Sequence, residues 1–312
     1  MPENPDPQVI LITGTSSGIG RLAAETLARA GHSVYASMRD PTLRNREVAE
    51  TLAKIPVRVI DLDVTQTESV RHAVQTVIDE AGRLDVVVNN AGHMSIGIAE
   101  AFTEAQVQQQ MEVNFLGPVR MCRAVLPHMR QRGKGLIIHV TSVVGRVLFP
   151  ACAFYCASKF ALEAYAEVLH YELSGLGVES VIVEPGPFPT RLLANSPEPA
   201  DRSRAEAYGG ISQLREVFAD TFSKFLHPSR ARTRRTLRMR SRNLSACRRE
   251  SVLCGPCAGQ TTARLPSTST PRPFRLRCYV VWACWRWRKG LTLRLGISAL
   301  AENSQLSRLQ RK

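Results

Sequence analysis

Short apolar runs rich in β-branched residues alternate along the first part of the chain with stretches whose apolar residues recur every three or four positions. The runs are QVILIT (8–13), SVYAS (33–37), VRVIDLDV (57–64), LDVVVNNAG (84–92), GLIIHVTS (135–142) and VESVIVEPG (178–186), and each reads as a buried strand. Between them lie amphipathic stretches such as RLAAETLARAG (21–31) and ESVRHAVQTVIDEAG (68–82), a long helix reaching Arg132, and a helix around Tyr155. Strands that alternate with helices call for right-handed crossovers and a parallel sheet covered on both faces. The pattern predicts six strands before residue 186 in one α/β domain, a Rossmann-type doubly wound parallel sheet. Pro118 fits a first helical turn, whereas Pro127 is expected to kink or shorten the long helix near Val125. A further helical pattern runs over residues 202–226.

After His227 the periodicity stops, which divides the chain into a folded part, residues 1–228, and an irregular tail, residues 229–312. Charge follows the same divide. The tail holds 20 of the 41 Lys and Arg but only Glu250 and Glu302 among the acids, a net of +18, while residues 1–228 carry −4. Five of the eight Cys and all three Trp also lie in the tail. One reading makes it a basic arm for nucleic acid or an anionic surface, on a dinucleotide-binding protein without turnover. The other places a shift of reading frame near His227, and the surplus of Cys and Trp without periodicity favours it over nucleic-acid binding. The tail would then stand in place of a last strand and helix. Cys254 and Cys257 match a redox tetrapeptide, but no strand precedes them.

The remaining cysteines, Cys122, Cys152 and Cys156, are expected as buried thiols without a disulfide framework. The amino-terminal MPENPDPQ lacks the basic and apolar stretches of an export signal, and no apolar run approaches the length of a membrane span. A cytoplasmic location is expected. His93, His139 and His170 lack metal-ligand spacing, so no metal site is expected and these are read as satisfied core or surface histidines.

Two stretches carry chemistry. In TGTSSGIG (13–20), Gly14, Gly18 and Gly20 follow a strand and open a helix, where free amides and the helix dipole attract a pyrophosphate. Tyr155 and Lys159 stand four apart on one helix face, where an ammonium beside a phenol favours the phenolate. Ser142 ends the run GLIIHVTS, at a strand's carboxyl end where open α/β sheets bind ligands.

The motifs TGxxxGxG (13–20), NNAG (89–92), Asn114, Ser142, YxASK (155–159) and PGxxxT (185–190) occur in order, and together they resemble the short-chain dehydrogenase/reductase family over residues 8–226. The flanking sequence resembles its 17β-hydroxysteroid and retinol dehydrogenase branch. The resemblance implies that Tyr155 exchanges a proton with the substrate oxygen, that Ser142 hydrogen-bonds that oxygen, and that Lys159 holds the nicotinamide ribose and lowers the Tyr155 pKa. Asn114 would position a water linking Lys159 to solvent. Cofactor contacts are implied for Gly14, Ser16, Ser17, Gly18, Ile19 and Gly20, for Asp63 and Val64 at the adenine, for Asn90, Ala91 and Gly92, and for Pro185, Gly186 and Thr190.

Cofactor choice is argued at the end of the second strand, which reads Ser37, Met38, Arg39. No acid stands at Ser37 or Met38 to accept from a ribose, and Arg39 offers a cation to a 2′-phosphate, so NADP(H) is favoured over NAD(H). The competing role for Arg39 is a surface pair with Asp40 or Glu47, and for Asp63 a turn cap. The residues Met94, Ile96, Val144, Leu148, Phe149, Phe188, Leu192 and Leu193 form a candidate apolar lining for a lipophilic ketone, aldehyde or secondary alcohol. Steroid, retinoid and fatty or aromatic carbonyls all fit that description, and homo-oligomerisation stays open.

Overall fold

The computed structural model describes residues 7–186, 188, 190–218 and 220. Six parallel strands, β1 (Val9–Ile12), β2 (Ser33–Met38), β3 (Val57–Asp61), β4 (Val86–Asn89), β5 (Gly135–Val140) and β6 (Val178–Val183), form one sheet in the order β3-β2-β1-β4-β5-β6. The order reverses between β1 and β4, and this leaves a crevice beyond their carboxyl ends. The six expected strands are therefore all present.

The period-2 alternation of the strands sorts the core into two layers. Val9 and Leu11 face one side with Tyr35, Val87 and Ile137, where α3 (Thr67–Ala81), α5 (Gly117–Arg132) and α6 (Ala153–Leu173) cover them. Ile10 and Ile12 face the other side with Val34, Ala36, Val86 and Val88, against α1 (Gly18–Arg29) and α2 (Arg46–Leu52). Leu136, Ile138 and Val140 of β5 share this second face but are only partly buried.

The long helix departs from its sequence reading. Helix α4 (Glu104–Met111), opened by a Thr103 and Gln106 capping box, runs through a π turn (Glu112–Leu116) straight into α5. Pro118 follows that wider turn, and Pro127 lies inside α5 without ending it at Val125. Pro127 and Arg123, whose carbonyl the proline leaves without its i+4 donor, both lie on the exposed face, where water can satisfy the carbonyl.

The helix expected over residues 202–226 is also broken. Helix α7 (Arg202–Ala207) ends before Gly209, whose φ of +56° a helix interior does not accommodate, and a 3-10 segment (Gly209–Gln213) follows before residues 214–218 turn helical. The expectations for the tail, Cys254 and Cys257 included, fall outside the described residues. Among the described residues no helix is long and apolar enough to cross a membrane, and no cluster of His, Cys, Asp or Glu has metal-binding geometry.

Candidate active site

A cavity of about 840 Å³ follows the crevice along the carboxyl ends of the strands. Each strand delivers residues to it: Gly14 after β1, Met38 and Arg39 at β2, Leu62 and Asp63 after β3, Asn90 after β4, Ser142 after β5 and Pro185 after β6.

The glycine turn is held by the NNAG turn beside it. Thr13 Oγ1 accepts from the amides of Asn90 and Ala91, both at 3.0 Å, and Asn90 Nδ2 donates to Thr13 O at 2.8 Å and Gly14 O at 3.1 Å. Gly14, at φ +70°, passes so close to Ala91 that a Cβ would lie 2.7 Å from its Cα. Gly20 needs its bare Cα for the same packing, since a Cβ would meet the Asn90 carboxamide and come within 2.6 Å of Gly14 O. Gly20 itself does not line the cavity. It acts through Asn90.

Ser16, Ser17, Gly18, Ile19, Val64, Ala91, Gly92, Gly186 and Thr190 do line it. Ser17 caps α1 without a side-chain hydrogen bond, and the first turn of α1 has no acid. That helix end suits a phosphate. Asp63 caps a turn, its Oδ1 accepting from Thr65 N at 2.9 Å and Thr65 Oγ1 at 2.8 Å, and it also lines the cavity. Arg39 is exposed at the cavity and forms no ion pair with Asp40 or Glu47 among the described residues. A second cation missed in the sequence, Arg44, lines the same cavity. Its place follows from the turn between β2 and α2, where Asn45 Nδ2 donates to Arg39 O at 2.6 Å.

Ser142, Tyr155 and Lys159 all line the cavity, and each is buried. Val144 N donates to Ser142 Oγ at 3.3 Å, which fixes the hydroxyl at the start of a 3-10 turn (Val143–Gly145). Lys159 Nζ donates to Val140 O at 2.9 Å and stands 5.9 Å from the centre of the Tyr155 ring.

The electrostatics correct an expectation. Burial pushes the Tyr155 phenol up to about 12, and the hydrogen bond from the Ser142 hydroxyl opposes that rise. Burial also lowers Lys159 to about 8, against the opposing pull of the Glu163 carboxylate. With both groups withdrawn from water, desolvation outweighs the attraction of an ammonium for a phenolate.

Asn114 is completely buried in the π turn, and its side chain is fully engaged. Its Oδ1 accepts from His93 N at 3.0 Å, while its Nδ2 donates to His93 O at 2.9 Å and to Ser158 Oγ at 3.0 Å. Ser158 Oγ in turn donates to Tyr155 O at 2.8 Å. The carboxamide thereby braces the NNAG turn against the helix carrying Tyr155 and Lys159.

The apolar wall is narrower than expected. Met94, Val144, Phe149, Phe188 and Leu192 line the cavity, but Ile96 is fully buried behind it, Leu193 packs in the adjoining cluster and Leu148 points to solvent. Phe218, which the sequence marks only as part of the helical pattern over residues 202–226, lines the cavity and meets Phe149 edge to face at 6.4 Å between ring centres. His93 also lines the cavity, where burial and the charges of Arg39 and Lys159 lower its pKa. Its position directly after NNAG was the available signal. His139 is a core histidine, as expected, but only half satisfied: its Nδ1 lies 3.5 Å from Asn89 Nδ2, while its Nε2 and Asn89 Oδ1 are buried without a hydrogen-bond partner among the described residues. The three described cysteines are buried free thiols, as anticipated.

A glycine turn at a helix N-terminus, set in the crevice of a doubly wound sheet beside a buried Ser, Tyr and Lys, defines a dinucleotide-dependent oxidoreductase. The family described as short chain dehydrogenase matches residues 8–201, and the chain belongs to the short-chain dehydrogenase/reductase family. It is 42% identical over 220 residues to 3-ketodihydrosphingosine reductase of Bacteroides thetaiotaomicron, covering 70% of this chain and 75% of that one. It is 40% identical over 227 residues to human 17-beta-hydroxysteroid dehydrogenase type 1, covering 68% and 69%. Among solved structures, a short chain dehydrogenase/reductase from Burkholderia phymatum in complex with NAD aligns at a TM-score of 0.60 and 25% identity, covering 72% of this chain and 81% of that one.

Proposed function

We propose that this oxidoreductase reduces a lipophilic ketone or aldehyde, with NADPH as hydride donor. The observation that carries the reading is the setting of Tyr155, whose phenol stands among Met94, Val144, Leu192 and Phe218 in a cavity that Ser142 and Lys159 also line. A substrate pressed against that wall would have its carbonyl as its one polar group, and the hydroxyls of Ser142 and Tyr155 supply donors to it. The raised phenol stays protonated at neutral pH, which suits a proton donor. As the proton leaves Tyr155, the nearby ammonium of Lys159 and the Ser142 hydroxyl offset the charge left on the phenolate.

Ser16, Ser17, Gly18 and Ile19 would hold the dinucleotide phosphates, Asp63 and Val64 the adenine, and Lys159 the nicotinamide ribose. Bound there, the nicotinamide would supply a hydride to the carbonyl carbon. Arg39 and Arg44, with no acid at Ser37 or Met38, support the 2′-phosphate form. A panel of steroid, retinoid, fatty and aromatic carbonyls, followed by NADPH oxidation, tests the reading. Tyr155→Phe should abolish turnover on any carbonyl accepted and leave NADPH binding nearly intact. Undiminished turnover in that variant would overturn the assignment, and dinucleotide binding without turnover on the whole panel would favour a non-catalytic role.

A further inference from the structure

Helix α6 carries a second buried ionisable group one turn beyond Lys159. Glu163 is 4% exposed, and Gly145 makes the room for it, because a Cβ on Gly145 would lie 2.7 Å from Glu163 Cγ. The residue after that glycine, Arg146, gathers three carboxylates. Its Nη2 lies 3.1 Å from Glu163 Oε2 and 2.9 Å from Glu167 Oε1, and its Nε lies 2.7 Å from Glu184 Oε1. These partners tie the turn that begins at Ser142 to α6 and to the end of β6, immediately before Pro185.

The charges in this cluster do not cancel. One guanidinium faces three acids, of which Glu163 and Glu184 have side chains only 5% and 8% exposed. Among the described residues neither Glu163 oxygen makes a hydrogen bond of good geometry; burial raises its pKa, as do the charges of Glu184 and Glu167, and Thr141 and the Arg146 contact are what oppose that rise and favour the carboxylate. Lys159, the next buried cation along the helix, makes no ion pair among the described residues and donates a hydrogen bond to Val140 O. Around Lys159 stand Tyr155 and Glu163 on its own helix and His93 from the NNAG turn; around Glu163 stand Arg146, Glu184 and Glu167.

Given the reductase reading above, we propose that Glu163 and Arg146 are positioning residues for the proton relay. Glu163 supplies the negative charge that keeps buried Lys159 an ammonium, and Arg146 holds Glu163 ionised while fixing the serine turn to α6. The Glu163 carboxylate does oppose the burial that strips Lys159 of its proton. Neither Arg146 nor Glu163 lines the cavity. Their effect passes through the charge of Lys159 and the placement of Ser142.

The full chain has only six lysines, so NMR of lysine 13Cε labels can follow Lys159 directly, with Lys159→Met assigning its signal. Glu163→Gln should lower the Lys159 midpoint by about one pH unit, a roughly tenfold loss of the ammonium form on the alkaline side, and the alkaline limb of kcat should move with it. Arg146→Gln, at a half-exposed position, should move both in the same direction and keeps the test alive if Glu163→Gln fails to fold. A folded variant with an unmoved Lys159 midpoint would overturn the charge support, and a moved midpoint with an unmoved kcat limb would overturn its part in the relay. A moved midpoint in a chain that turns over no carbonyl would uphold the charge coupling and overturn the reductase reading instead.

Discussion

Asn114 clamps both sides of the His93 backbone, accepting from its amide at 3.0 Å and donating to its carbonyl at 2.9 Å. The residue is completely buried, so no water can replace it. Asn114→Ala would strand the His93 amide, leave the His93 carbonyl with Gln110 Nε2 at 2.8 Å as its donor and remove one bond of Ser158, and the loss should be about 2–4 kcal/mol of unfolding free energy. Urea titration measures it. A change under 1 kcal/mol, the scale of one exposed hydrogen bond, would show that the clamp is not structural.

Arg39 has no carboxylate partner among the described residues and faces the cavity. If it holds the 2′-phosphate, Arg39→Ala should weaken NADPH binding about tenfold or more, the scale of one charge-assisted hydrogen bond, and leave NADH nearly unchanged. The double variant with Arg44→Ala should weaken NADPH further. Equal losses for the two dinucleotides, measured by fluorescence titration, would make Arg39 structural.

Two glycines separate packing from conformation. Gly20→Ala drives a methyl into Gly14 O and the Asn90 carboxamide, and should cost about 1–3 kcal/mol while weakening dinucleotide binding. Gly31→Ala meets no atom within 4 Å but sits at φ +92°, so it should cost about 1–2 kcal/mol and leave dinucleotide affinity alone. Melting curves paired with dinucleotide titration distinguish the two. Equal dinucleotide affinity in both variants would contradict the role given to Gly20.

His139 is fully buried and neutral, its pKa lowered from 6.5 to about 4 by burial. Between those values the unfolded chain binds the extra proton, so stability falls as pH falls through the window, by about 1.4 kcal/mol per pH unit. His93 and His128 are lowered as well and add to the same acid loss. His139→Gln should flatten the slope by one proton in urea titrations across the window. An unchanged slope would show that the acid sensitivity lies elsewhere.

The amino-acid sequence alone determined the strand and helix order, the glycine turn, and the Ser142, Tyr155 and Lys159 set. These are written in local periods: alternation in Ile10 and Leu11, helical spacing in Tyr155 and Lys159, a turn in Gly14 to Gly18. Only the tertiary structure decided what depends on contacts between distant segments. Gly20 belongs to packing because β4 lies beside β1 and brings Asn90 against it, and Asn114 is a brace because the π turn meets the NNAG turn and α6. Pro127 survives within a helix because that face is exposed. Phe218 reaches Phe149 across a wide gap in sequence, and Arg146 collects acids from α6 and from the residue after β6, with no local pattern marking either contact. The phenol of Tyr155 rises because folding removes it from water, and solvation is a property of the whole assembled site that spacing along a chain does not encode.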